Sequence, residues 1–285
     1  MGVEILLKEQ ALQFVLVLYH QSWQETPSRP LLTQFLVEHP DSHLLLVDNS
    51  PEPQLIPERY QARITYHHSP DNPGLATAYN QALIEATTHD AQWLVLLDQD
   101  TTLTSEYLAA IYDTQQRDTV VCRVPQIMAN QRQISPLLAD TYIDHNWHYP
   151  PVGVTNRRIM AINSATIWRV SFLKELGGFN VAFPLDFLDH WLCYQVAQQK
   201  KEVDVLPITL THDLSVLHYQ SMSIKRYQAI VAAEHRYYTT IEPALKKRHE
   251  QQLLKRTVKH FFTVGNRAIW RATWQSYRNM RRDKR

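Results

Sequence analysis

The chain has 285 residues, 44% of them hydrophobic and 20% charged, which supplies enough apolar material for one large α/β core, with or without an appendage. Its two cysteines, Cys122 and Cys193, lie far apart and match no zinc or redox spacing, so a disulfide framework is not indicated and a reducing cytoplasm is expected. The first residues lack the basic and apolar regions of a signal peptide, and the most apolar windows (11–19 and 93–97) fall far short of the ~20 residues that span a bilayer. A soluble or peripheral protein is expected. The net charge of +1 hides an asymmetry: residues 246–285 carry 13 Lys or Arg against 2 Asp or Glu, and the remainder is acidic. A basic tail on an acidic body suggests contact with an anionic surface.

Residues 14–19 (FVLVLY) read as a first buried strand, ending on Tyr19. A helix follows over 30–38, where Pro30 suits the first turn. Residues 43–47 (HLLLV) form a second strand, stopped by Asp48-Asn49-Ser50-Pro51, a cluster of turn formers. A third short strand covers 64–66, a helix 75–87, and a fourth strand 93–97 (WLVLL). Strands that are continuous apolar runs and alternate with helices predict a Rossmann-like, mostly parallel sheet covered on both faces. Such sheets bind ligands outside the carboxyl ends of their strands, where Asp48 and Asp98 both fall.

Farther on, 120–124 reads as a strand and 130–157 as a long loop of the kind that carries function. A strand over 161–170, a short helix over 171–176 stopped by Gly177-Gly178, a helix over 188–199 and a strand over 203–211 follow. From 224 onward the pattern is helical. This gives a catalytic-size domain over 1–245 and a basic amphipathic helical extension over 246–285.

Asp98 and Asp100 stand one residue apart after a hydrophobic strand, so their side chains share a side. Two carboxylates without a nearby cation repel, and hard oxygen ligands suit Mg²⁺ or Mn²⁺, which complete their shells with phosphate and water. The competing reading is a helix cap, Asp100-Thr101-Thr102 opening a helix over 105–112. At the opening of the helix over 188–199, Asp186 and Asp189 either favour the helix N-terminus electrostatically or carry chemistry. Gly74 permits a close backbone approach at a helix start, and Asn72 suits the turn before it.

Several segments resemble the family-2 glycosyltransferases of GT-A fold, in particular the rhamnosyltransferase-like branch of bacterial surface-polysaccharide (O-antigen or capsule) synthesis, over roughly residues 12–240. Asp48-Asn49-Ser50 resembles the family's D-N-x-S turn, and Asn72-Pro73-Gly74-Leu75-Ala76-Thr77-Ala78-Tyr79-Asn80 its N-x-G-x-A-x-A-x-N segment. Leu97-Asp98-Gln99-Asp100 is similar to the L-D-Q-D form of its metal motif, and Asn163-Ser164, Gly177-Gly178-Phe179 and Asp186 to Asp189 follow in the family's order. The sequence departs from the family at Trp191, where a second acidic residue is common, and at Gln195, where an arginine is common.

The resemblance implies a metal-dependent inverting hexosyltransferase using a nucleoside-diphosphate sugar, with a dTDP-rhamnose leaning and UDP-hexoses open. A glycan or lipid-linked oligosaccharide would be the acceptor. Asp189 would be the catalytic base. Tyr19, Asp48, Asn72, Gly74, Asn80, Asp98, Gln99, Asn163 and Asp186 would line the nucleotide-sugar site, and Asp98, Asp100 and His212, with His218 competing, would approach the metal.

In the extension, apolar residues recur at 254, 258, 261, 262, 270, 274 and 277, a helical spacing with cations between them. That pattern suits the interface of an anionic membrane, and packing on the body is the alternative; nucleic acid is not expected. A peripheral place on the inner face of the cytoplasmic membrane follows from the resemblance. Two other function classes remain. A nucleotidyltransferase wants a Gly-rich basic phosphate loop after the first strand, where His20-Gln21-Ser22-Trp23 supplies none. A non-catalytic binding protein on the same sheet has no need of Asp98, Asp100 and Asp189 together.

Overall fold

The computed structural model describes residues 11–57, 63–112, 117–144, 146–211 and 222–282. The strands β1 (Leu12–Leu18), β2 (His43–Asp48), β3 (Ile64–His68) and β4 (Trp93–Asp98) alternate with α1 (Arg29–Glu38) and α2 (Leu75–Thr88). They pair in parallel in the order β3-β2-β1-β4, with Val17 opposite both Val47 and Asp98. The strands are apolar on both sides because both sides are covered. Val15, Val17, Leu45, Val47, Leu94 and Leu96 pack under α2, whereas Leu12, Phe14, Leu16, Leu44, Leu46, Val95 and Leu97 pack under α1 and α3 (Ser105–Tyr112). Each such fully buried side chain contributes roughly 1.5–3 kcal/mol relative to exposure.

Beyond β4 the sheet continues through one reversed strand. β5 (Val120–Ala129), β10 (Thr166–Arg169) and β11 (Glu202–Thr211) extend it in the order β4-β10-β5-β11, with β10 antiparallel to both neighbours and β5 parallel to β11. The expected strand over 161–170 is therefore shorter than its apolar content suggests. Asn163–Ala165 is a turn, with Ala165 at φ +57° and the Thr166 amide donating to the Asn163 carbonyl. The expected long loop over 130–157 also contains short strands. β6 (Arg132–Ser135) folds back on β5, β7 (Leu137–Leu138) pairs with β9 (Ile159–Met160), and β8 (Gly153–Thr155) closes the edge beside β11. Strands this short have no readable period.

On the α2 face lie α4 (Val170–Glu175) and α5 (Leu188–Gln198), whose Phe172, Leu173, Leu188 and Leu192 are buried in the same core. The segment joining them docks on α2 through two close approaches. The Asn80 side-chain nitrogen donates to the Phe179 carbonyl at 2.9 Å, and the Phe179 amide donates to the Asn80 Oδ1 at 2.7 Å. At the start of α2, the Ala76 amide donates to the Pro184 carbonyl at 3.2 Å, and a side chain at Gly74 would stand 2.5 Å from that oxygen. Gly74 and Asn80 thus fasten the chain that leads into α5.

The C-terminal part is α6 (Ile224–Arg236), a π-helical turn (Tyr237–Ile241), α7 (Lys246–Thr263) and α8 (Arg267–Arg282). Leu253 of α7 and Met280 of α8 are buried in the core on the α2 face. Glu234 is buried against Arg256 at 2.8 Å, and Arg158 pairs with both oxygens of Glu242. Burial alone would raise the Glu234 carboxyl, but Arg256 and His249 outweigh it and hold it below the usual range. The buried line of α7 is mostly polar (His249, Glu250, Thr257, His260), and its apolar line faces outward.

Gly178 sits at φ +93°, and an added Cβ would lie 2.3 Å from the Asn80 Oδ1, which is itself held by Phe179. Gly178→Ala should therefore cost about 2 kcal/mol. A urea titration checks this: the midpoint should fall at unchanged slope, and an unchanged midpoint would contradict the clamp.

Candidate active site

The carboxyl ends of β1, β2 and β4 are tied into one rim. Beyond β1, the His20 amide donates to the Ser50 hydroxyl at 2.9 Å and the Asn49 amide to the Leu18 carbonyl at 2.8 Å. On the other side, the Tyr19 amide donates to the Gln99 Oε1 at 2.7 Å. Gln99 therefore spends its side-chain oxygen on holding the Asp98–Thr101 turn against β1. Tyr19 is 48% exposed on this rim, its ring against His20.

Asp98-Gln99-Asp100-Thr101 is a β-turn closed by the Thr101 amide on the Asp98 carbonyl at 3.1 Å. The Thr101 hydroxyl accepts from the Asp98 amide at 3.1 Å and lies 2.7 Å from the Ser164 hydroxyl, so the turn before β10 braces the acidic turn. The helix-cap reading of Asp100 is answered directly. α3 does form over Ser105–Tyr112, but the Thr104 hydroxyl accepts the Tyr107 amide at 3.2 Å. Asp100 is exposed and Asp98 half-buried.

The carboxylates differ sharply in surroundings. Asp48 is fully buried and points to the α1 face, accepting from the Ser50 amide (3.0 Å), the Gln54 side chain (2.8 Å) and the Tyr66 hydroxyl (2.9 Å). Burial alone would raise its carboxyl; those hydrogen bonds outweigh it and hold it below the ordinary range. Gln54 also takes the Trp23 amide at 2.6 Å, so Asp48 anchors a network on its own side of the sheet.

Asp98 alternates with Leu94 and Leu96 and so points to the opposite face, under α2 and α5. Asp189 stands in the first turn of α5 on that face. Burial pushes its carboxyl up, partly opposed by the His190 charge and the His190 amide, which donates at 2.8 Å. Asp98 and the first turn of α5 that carries Asp189 thus lie on the same face of the sheet, the one that α2 covers. Asp186 is engaged by Arg226 in a two-pronged pair.

Among the other expected site residues, Asn72 is exposed at φ +44° in the turn before α2. Gly74 and Asn80 meet the Gly178-to-Pro184 segment that leads into α5. Asn163 is buried, its Oδ1 without a hydrogen-bond partner among the described residues, three residues before the start of β10, which pairs with β4. His212 and His218 lie outside the described residues. Gln54, Tyr66, Thr101 and Tyr79 were not singled out from sequence. Only Tyr79 lay inside a motif; the rest have no spacing signal, because each acts through a contact between distant elements. Among the described residues, no three His, Cys, Asp or Glu gather as a ready metal cage, and no helix is long and apolar enough to cross a membrane.

Comparison with known proteins places this geometry. Among solved structures, TarS residues 1–349 of S. aureus align with a TM-score of 0.52 and 13% identity, over 96% of this chain and 91% of that one. The mannosyltransferase PcManGT of Pyrobaculum calidifontis, solved with GDP-Man and Mn²⁺, aligns at 0.53 and 13% over 96% and 88%. GalNAc-T7, solved with UDP, GalNAc and Mn²⁺, aligns at 0.53 and 14% over 86% of this chain and 51% of that one. These likenesses establish the GT-A fold. No curated protein sequence matches the chain. The family described as Glycosyl transferase family 2 matches residues 29–173, just over half of the length, and the chain belongs to that family.

Proposed function

We propose that the chain is an inverting hexosyltransferase that moves a sugar from a nucleoside-diphosphate sugar to a glycan or lipid-linked oligosaccharide in bacterial surface-polysaccharide synthesis. The observation that supports this reading is the shared face: Asp98 at the end of β4 and Asp189 at the start of α5 both lie on the side of the sheet that α2 covers. The neighbours solved with GDP-Man or UDP support a nucleotide-bound donor, and L-D-Q-D favours dTDP-rhamnose by resemblance.

Asp98 and Asp100 fit a divalent cation: they stand one residue apart in the turn after β4, α3 takes its cap from Thr104, and two carboxylates make the partial shell that Mg²⁺ or Mn²⁺ completes with phosphate. When bound, such a cation supplies the positive charge that a departing diphosphate needs. Tyr19, exposed on the rim, is placed for the nucleotide. Asp48 works through Gln54 and Tyr66 to shape that side, and Gln99 holds the acidic turn in place. Asn72 and Asn163 are assigned to the donor side. Gly74, Asn80 and Asp186 position the segment before α5. His212 is kept as a further metal ligand on resemblance alone. Asp189 takes the proton of the acceptor hydroxyl as its oxygen bonds to the anomeric carbon and the bond to the diphosphate breaks. Its raised carboxyl moves its basicity toward the working pH.

The outward face of α7 and α8 suits an anionic membrane surface. Leu254, Val258, Phe261, Phe262 and Trp274 are 39%, 53%, 44%, 79% and 38% exposed. Arg267 and Arg271 stack on Phe261 and Trp270 within this stripe. Aromatics flanked by cations sit favourably at the level of lipid headgroups. The protein then meets its acceptor at the inner face of the cytoplasmic membrane.

Ligand-dependent Tm, turnover, stability against pH and liposome flotation test these assignments. Nucleoside-diphosphate sugars that raise the Tm in a Mn²⁺-dependent way identify the donor. Asp189→Asn should keep that stabilisation while transfer falls by about 10²- to 10⁴-fold. Because the folded carboxyl lies above its unfolded value, wild-type stability is lost as pH rises through the folded value. Asp189→Asn should therefore gain on the wild type toward neutral pH, and near-normal turnover would remove Asp189 as base. For the membrane, replacing Phe261, Phe262 and Trp274 by Ser should weaken flotation with anionic liposomes at unchanged Tm; equal flotation would defeat that proposal.

A further inference from the structure

The residues on either side of Asp189 are held from outside α5. Phe187 precedes the helix at φ +65°, a left-handed backbone that a bulky side chain adopts only where its surroundings impose it. Its ring stacks on His190 at 4.5 Å, and the His190 amide is the group that donates to Asp189. Phe187 and His190 therefore bracket the stretch of backbone that carries the carboxylate.

One side chain reaches both. Tyr237, fully buried in the π-helical turn after α6, packs its ring on Phe187 at 5.4 Å, on His190 at 5.6 Å and on Phe183 at 6.3 Å. Its hydroxyl donates to the Glu242 Oε2 at 3.1 Å and lies 3.5 Å from the His190 carbonyl. Glu242 is buried, and Arg158, next to β9, donates to the same carboxylate oxygen at 2.6 Å. The Glu242 amide in turn donates to the Tyr237 carbonyl at 3.0 Å, which closes the turn. Phenylalanine would fill the same space, so ring packing does not account for the hydroxyl; its bond to the ion pair does. Single π-helical turns are rare and collect at functional sites.

We infer that Tyr237 is a positioning residue for sugar transfer: through Phe187 and His190 it sets the direction of the Asp189 carboxylate, and the Glu242–Arg158 pair sets Tyr237. This rests on the proposed function, in which Asp189 is the base. A misplacement of about 1 Å costs a reaction on the order of 10²-fold in rate. None of the residues that Tyr237 meets here is assigned to the donor or the cation, so donor binding is left alone.

The test compares the full-length wild type, Tyr237→Phe, Asp189→Asn and the double variant, with Mn²⁺ and dTDP-rhamnose, UDP-glucose or GDP-mannose. Calorimetry reads donor affinity, and release of the nucleoside diphosphate, with octyl glycosides and water as acceptors, reads turnover. Tyr237→Phe should lower kcat about 10-fold and keep donor affinity within twofold. In the Asp189→Asn background it should cause no further loss, because residues that act as a unit are not additive. Losses that multiply would overturn the inference, since Tyr237 would then act independently of Asp189. An unchanged kcat, or a loss of affinity that matches the loss of kcat, would overturn it as well. Should Tyr237→Phe fail to fold, Phe187→Leu removes the ring between Tyr237 and His190 and carries the same expectations and refutations. Near-normal turnover by Asp189→Asn, or none by the wild type with any of the donors, would overturn the functional reading and the inference together.

Discussion

The paired hydrogen bonds between the Asn80 side chain and the Phe179 backbone, 2.9 and 2.7 Å, hold the two halves of the site together. The sheet alone places Asp98, because β4 is pinned between β1 and β10 over most of its length. Asp189 lies off the sheet, on a helix that packs against β11 and β9 and is reached through the segment after Gly178. That segment has few regular hydrogen bonds of its own, and without an anchor its ordering entropy would leave α5 free to shift. Asn80 and the close approach of Gly74 to Pro184 supply the anchor. Two motifs far apart in sequence are thus one contact seen from either side.

Given that frame, burial divides the acidic residues among different tasks. Asp48 is enclosed by donors and stays ionised. Asp186 is neutralised by Arg226. Asp189 is pushed up by burial, with the His190 amide and charge giving only partial relief. Asp98 and Asp100 sit at the solvent edge in a turn whose bracing comes from Thr101, Ser164 and Gln99. Chemically equal side chains acquire distinct capacities from the number of donors around them.

The first half of the fold was legible because its signals are local. Continuous apolar runs mark β1, β2 and β4, and Asp48 and Asp98 fall at their carboxyl ends, as expected. The antiparallel β10 was not legible. Its apolar stretch looks the same in either direction, and the left-handed Ala165 that shortens it leaves no trace in composition. The short strands between 132 and 155 are defined by partners elsewhere in the chain. Gln99 reads as a filler between two aspartates until its side chain is found on the Tyr19 amide. The C-terminal extension shows helical periodicity clearly, but periodicity does not say which face turns inward. Here α7 buries His249, Thr257 and His260 and exposes Phe261 and Phe262, the reverse of what hydropathy suggests.

The central claim is that the acidic turn after β4 and the first turn of α5 face each other across one substrate. Anomalous diffraction from crystals grown with Mn²⁺ and the nucleoside diphosphate that stabilises the protein tests it most directly. The account predicts a manganese peak within coordination distance of Asp98 or Asp100, with the diphosphate on the side toward Asp189. A peak held by other residues, or a diphosphate lying away from α5, would contradict it.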